Sequence, residues 1–92
     1  MDCTIWKFGF DIADEFAIEM PGGAEILDVQ EQHGLACIWA LIDPEASKKC
    51  RYFRLVGTGH PFDYDARIYK YMGTFQMHGG NLVFHLFENI MK

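Results

Sequence analysis

Thr4-Ile-Trp-Lys-Phe-Gly-Phe-Asp-Ile12 is the stretch on which the fold turns. Trp6, Phe8, Phe10 and Ile12 fall on one side of it, and Ile5, Lys7, Gly9 and Asp11 on the other. Side chains that change sides at every residue define a β-strand with one face against a core. The next apolar run keeps that period: Phe16, Ile18 and Met20 alternate with Ala17 and Glu19 until Pro21-Gly22-Gly23 stops them. Asp14–Met20 is the one segment that also admits a helix with the same stop, and its alternation favours a strand.

The rest of the chain repeats the pattern with turn signals every six to twelve residues, the spacing of an all-β fold. Ala24–Gln32 is a third strand. His33-Gly34 is a tight hairpin turn, since two-residue hairpin loops need positive φ at both positions. Leu35–Ile42 follows, apolar on both faces, which predicts a central strand covered on both sides. Asp43-Pro44 opens a polar loop through Lys49, and Cys50–Val56 is a fifth strand. Gly57-Thr58-Gly59-His60-Pro61 breaks the ladder. Arg67–Met77 is a sixth strand with a bulge at Gly73, His78-Gly79-Gly80-Asn81 a second hairpin turn, and Leu82–Phe87 the last strand. The tail from Glu88 has room for one helical turn. These elements predict one all-β domain over residues 1–92: six or seven antiparallel strands in a small sandwich or open barrel.

With 92 residues and 50% apolar side chains, fourteen of them aromatic, the chain carries more apolar surface than one thin core hides. Such a surplus predicts a homo-oligomer. No run is long and apolar enough to span a bilayer, and the start of the chain lacks a basic region followed by an apolar one, so no export signal is expected. Cys3, Cys37 and Cys50 are then reduced thiols, and the expected compartment is the cytoplasm. The net charge of -5 is unevenly spread: residues 1–45 hold ten acids and one base, residues 46–92 seven bases and three acids. Either neighbouring strands neutralise each other, or a basic face captures an anion. Seven scattered bases are too few for strong binding to duplex nucleic acid.

Arg54-Leu-Val-Gly-Thr-Gly-His60 is the most suggestive motif. A strand runs into two glycines, a hydroxyl and an imidazole, a composition suited to an anion-binding turn, with Arg51 and Arg54 as fork-shaped donors. No helix follows, so it is neither a P-loop nor a dinucleotide fingerprint, and a plain strand exit accounts for the same residues. Tyr52, Tyr64, Tyr69, Tyr71 and Phe75 are interleaved with Arg51, Arg54, Arg67 and Lys70, as base stacking with phosphate neutralisation requires; strands with one wet face show the same composition. No metal site is expected, because the cysteines are far apart and no paired ligand spacing occurs. No cofactor and no catalysis are expected: Ser47 lies in a charged loop, Cys37 in the most apolar strand, and His85 alternates with Val83 and Phe87 like a packed residue.

Thr4-Ile-Trp-Lys-Phe8, Ile18 to Gln30, Trp39-Ala-Leu-Ile-Asp-Pro44, Gly57-Thr-Gly-His60, Gly73-Thr-Phe-Gln76 and Val83 to Glu88 resemble, in the same order, a family of small uncharacterised proteins of bacteriophages and their bacterial hosts. The resemblance carries no catalytic residue. It implies a phage setting, in which proteins of this size often block host defence, some as oligomeric sponges for nucleotide signals and others by binding a defence protein. The expectation is therefore an accessory binding protein that sequesters a small nucleotide-like anion as a homo-oligomer. Arg51, Arg54, Gly57, Thr58, Gly59, His60 and Arg67 would serve the phosphate, and Tyr64, Tyr69 or Trp39 the base. The alternatives are a protein–protein inhibitor, docking its acidic half on a basic host protein, and a minor virion component.

Overall fold

A computed structural model describes residues 2–92. It contains seven strands: β1 (Thr4–Phe10), β2 (Glu15–Pro21), β3 (Glu25–Gln32), β4 (Leu35–Ile42), β5 (Lys48–Gly57), β6 (Tyr69–Met77) and β7 (Leu82–Asn89). One 3-10 turn, His78–Gly80, is the sole helical element among the described residues. The strands form two antiparallel sheets, one ordered β1-β4-β3 and the other β2-β5-β7-β6. The all-β expectation stands.

The period-two pattern places the core. Phe10, Val29, Ala36, Ile38, Ala40 and Ile42 of the three-stranded sheet are buried against Met20, Phe53, Leu55, Phe75, Met77 and Leu86 of the other. Phe10 joins the two layers: its ring stacks on Phe16 at 4.5 Å between centroids and meets the edge of Phe75 at 6.1 Å. At the β3 and β6 edges the sheets come close enough that a Cβ on Gly73 would stand 2.8 Å from Val29 Cγ1. Gly73 sits where the β6–β7 register slips after Tyr71, which is the bulge the sequence implies.

The β3–β4 hairpin turns through His33 and Gly34, with φ of 53° and 84°. Positive φ at both positions defines the turn whose twist matches its flanking strands, and only glycine enters that region without steric cost. Leu35–Ile42 is central as predicted, lying between β1 and β3, but only one of its faces is covered. Ala36, Ile38, Ala40 and Ile42 point into the core, whereas on the outer face Leu35 and Leu41 remain exposed, Trp39 is half-buried and only Cys37 is buried. A two-layer sandwich leaves every sheet one outer face, so an apolar strand cannot be covered twice unless a further layer is added. β5 starts at Lys48, two residues before the expected strand, and β7 runs on to Asn89 in place of a helical turn.

One charged pair enters the layer between the sheets. Arg51 faces inward from β5 and grips Glu88 of β7: Nε donates to Oε2 at 2.5 Å and Nη2 to Oε1 at 2.8 Å, while Nη1 donates to the Ala24 carbonyl at 2.7 Å. The hydrogen bond to Glu88 holds the Arg51 pKa above its usual range, so the guanidinium stays charged. Removing one partner leaves the other desolvated and alone, whereas an apolar replacement of both removes that penalty. Glu88→Ala is expected to cost about 2 kcal/mol or more in urea unfolding, and the double variant Arg51→Met/Glu88→Leu to recover most of that loss.

Candidate functional site

β5 and β6 both run antiparallel to β7, which lies between them. The chain therefore leaves β5 at one end of the sheet and must return along its length before β6 begins. The inner face is filled by the core, so residues 58–68 cross the outer face. Phe62 lands on that face, its ring centroid 5.0 Å from Phe87 and 5.1 Å from Tyr69, and Tyr64 lies 5.8 Å from Phe87. Tyr71 approaches Phe87 from the other side at 5.6 Å. These rings form a ridge across the outer face of the four-stranded sheet, with a hollow on each side of it.

The first hollow, of about 240 Å³, is lined by Glu15, Ala17, Tyr52, Arg54, Tyr69, Asn89 and Lys92 together with Phe16 and Phe53. Arg54 is its centre. The guanidinium carbon lies 5.4 Å from the centroid of Phe62, a cation–π contact. Its ion pair is with Glu15, at 4.0 Å, and that carboxylate is 69% exposed. The Arg54 Nε is buried without a hydrogen-bond partner among the described residues. Arg54 thus differs sharply from Arg51, three residues earlier on the same strand, whose donors are committed to Glu88 and Ala24. An odd offset on a strand puts the two arginines on opposite faces. Lys92 Nζ stands 5.4 Å from the centroid of the Tyr52 ring, adding a second cation to this hollow.

The second hollow, of about 270 Å³, lies beyond the ridge at the exit of β5, where Gly57, Thr58, Gly59 and His60 meet Tyr71 and His85. The His60 N–H donates to the Gly57 carbonyl at 3.0 Å, and Gly59 has φ of 86°. A four-residue turn with positive φ at its third position is a type II turn, which selects glycine there. The Thr58 N–H donates to the Val83 carbonyl at 3.1 Å, keeping the exit pinned to β7. A row of side chains then crosses three chain segments: Thr58 Oγ1 lies 2.7 Å from His85 Nε2, Thr74 Oγ1 is 2.9 Å from His85 Nδ1, and Tyr71 Oη is 2.5 Å from Thr74 Oγ1.

Of the residues expected from sequence, Arg54 and Tyr69 share the first hollow and Gly57, Thr58, Gly59 and His60 the second. Tyr64 stands on the ridge between them. Three lie apart. Arg51 is turned into the sandwich and occupied by Glu88. Trp39 is on the outer face of the other sheet. Arg67 is 88% exposed and bound to its neighbour Asp65, Nη2 to Oδ2 at 2.7 Å and Nε to Oδ1 at 3.0 Å, which holds the Asp65 carboxyl below its usual range. Sequence reasoning did not assign Phe62, Phe87, Asn89, Lys92, Thr74 or His85 to a site. The alternation Val83-Phe-His-Leu-Phe87 does place His85 with Phe87; what it lacks is which face looks outward. Among the described residues no three His, Cys, Asp or Glu side chains gather as metal ligands would, and no helix is long and apolar enough to cross a membrane.

A side chain on residue 59 must adopt the left-handed region, at about 1 kcal/mol. Gly59→Ala is therefore expected to lower the urea unfolding free energy by about that amount and to shift the ring resonances of His60 and His85, read by side-chain NMR.

No curated protein and no solved structure matches the chain. A family model described as a domain of unknown function (DUF7352) matches residues 1–92. With its whole length covered, the chain belongs to the DUF7352 family.

Proposed function

We propose that the protein is a binding module for a small, planar, anionic ligand of the nucleotide type, held in the Arg54 hollow without chemical change. The observation that carries this reading is Arg54 itself: a guanidinium with one distant, exposed acidic partner and a buried Nε left unpaired. Unmet hydrogen-bonding capacity at a buried atom is costly unless something supplies an acceptor, and a phosphate or carboxylate presents acceptors in the geometry of the guanidinium fork. Tyr52 and Tyr69 line the same hollow; aromatic faces stack on any nucleobase and so give affinity without much sequence preference. Asn89 adds an amide able to donate and accept at a base edge. An accessory role in a phage-infected cell, with the protein acting as a sponge for a nucleotide signal, is the biological form of this proposal.

Calorimetric titration with a panel of mononucleotides, dinucleotides and cyclic dinucleotides tests it. At least one should bind, and Arg54→Ala should weaken that ligand about tenfold or more, the worth of a charge-assisted hydrogen bond. Arg54→Lys should recover only part of the loss, since a lysine offers a point charge without the fork. Binding by none of the panel, or equal binding by Arg54→Ala, overturns the reading.

A second reading concerns the other sheet. Ile5 and Leu41 are cross-strand partners, and with Leu35 and Trp39 they leave an apolar outer face on the three-stranded sheet, bordered by Glu25 and Asp28. Apolar patches rimmed by polar residues mark association sites, and a homo-oligomer packed through this face would leave the Arg54 hollow free. Light scattering should then give a mass above that of one chain, and Leu41→Glu should reduce it to the monomer while leaving nucleotide binding intact. A wild-type protein that is monomeric at high concentration sinks the oligomer.

A further inference from the structure

We propose that the second hollow is a binding site for a tetrahedral oxyanion, phosphate or a phosphate monoester, and that protonation of His85 loads it. This does not rest on the Arg54 reading; it stands on the row Thr58–His85–Thr74–Tyr71. The imidazole has a hydroxyl oxygen at each nitrogen, Thr58 at 2.7 Å and Thr74 at 2.9 Å. A neutral imidazole has one donor and one acceptor nitrogen, so one of the two hydroxyls must spend its hydrogen on the ring. An imidazolium has two donors. Both threonine oxygens then accept, and both hydroxyl hydrogens turn away from the ring. Thr58 and Tyr71 end the row, and both line the hollow. Tyr71 Oη lies 2.5 Å from Thr74 Oγ1, so the Thr74 hydroxyl, no longer donating to the ring, can donate to Tyr71 Oη, which then turns its own hydrogen outward. Gaining one proton thus gives the hollow a positive charge and a further outward-facing donor.

The surroundings favour an anion. No aspartate, glutamate, lysine or arginine lines this hollow; its titratable side chains are His60, His85 and Tyr71. His85 faces Val56 across β5, Thr74 and Tyr71 on β6, and Thr58 and His60 at the strand exit. Of the side-chain types present, imidazole is the one that serves in proteins as a switch of charge near neutral pH. Phe62 and Phe87 wall the hollow on the ridge side. His60 is held in place by the type II turn, its ring lying against Gly57, where a Cβ would stand 3.0 Å from its Nδ1. By linkage, an anion that prefers the imidazolium raises the proton affinity of His85 by the same factor by which the proton raises anion affinity.

Sulfate is the probe, because its charge is constant over the range tested. The full chain carries Arg54→Ala in every sample, which empties the other anion site, so this proposal and the nucleotide reading fail separately. Titrations followed by histidine side-chain NMR at pH 5.5 and pH 8.0 should show sulfate binding at least tenfold tighter at the lower pH, and sulfate should raise the His85 pKa. His85→Gln keeps a hydrogen-bonding side chain without a titration and should flatten the pH dependence to less than twofold; His60→Gln should keep most of it. Thr58→Val, which leaves the imidazole in place, should weaken sulfate at pH 5.5 at least fivefold. No sulfate response at His85 at pH 5.5 overturns the proposal, as does a pH dependence that survives His85→Gln.

Discussion

The position of β7 between β5 and β6 is the constraint on which the two outer-face hollows depend. It makes the flanking strands parallel to each other and forces their connection to travel the length of the sheet. A crossover of this kind must lie on one face, because backbone cannot be threaded through a packed core without losing its hydrogen bonds. The core occupies one face, with Phe10, Phe53 and Phe75 filling the space between the sheets. Residues 58–68 have only the other. The segment brings its own apolar side chain, Phe62, to settle on Phe87, and the ridge so formed divides an otherwise flat sheet face into two hollows.

The charge asymmetry of the sequence survives folding in altered form. β1, β3 and β4 carry Glu25, Asp28 and Glu31 against the single base Lys7, while β5 brings Lys48, Lys49, Arg51 and Arg54 to the other sheet. β2 is the exception: drawn from the acidic half, it pairs with β5 and sets Glu15 opposite Arg54 and Glu19 opposite Cys50. The expected neutralisation between neighbouring strands is met in part along β2 and β5. Arg54 is incompletely satisfied, because Glu15 at a sheet edge extends into water. Surface pairs of this kind contribute little, so an anionic ligand would displace a weak contact rather than a strong one.

What was legible in the sequence is what depends on near neighbours. The strands follow from alternation, the turn at His33-Gly34 from its need for positive φ, and the bulge at Gly73 from a glycine inside a strand. The coverage of Leu35–Ile42 was misread because alternation of apolar residues on both sides looks the same whether the second face meets another layer or is left open. The site was half legible for the same reason. Gly57, Thr58, Gly59 and His60 are contiguous, and their turn chemistry marks them. His85 and Thr74 join them only through the β5–β7 and β6–β7 registers, which no local pattern specifies. Arg51 and Arg54 looked equivalent as cations. The period of two separates them to opposite faces, and only the pairing of β5 with β7 reveals that Glu88 is waiting for the inner one.

Phe62 stands at the border between the two hollows. Phe62 lies over Arg54 on one side and closes the Gly57–His60 hollow on the other. Its place is held by ring contacts with Phe87, Tyr69 and Tyr64 rather than by hydrogen bonds of its own side chain. Dispersion contacts of this sort are individually weak and collectively large. The crossover segment is thus anchored at both ends by strands and in its middle by two rings, Phe62 and Tyr64, set against Phe87.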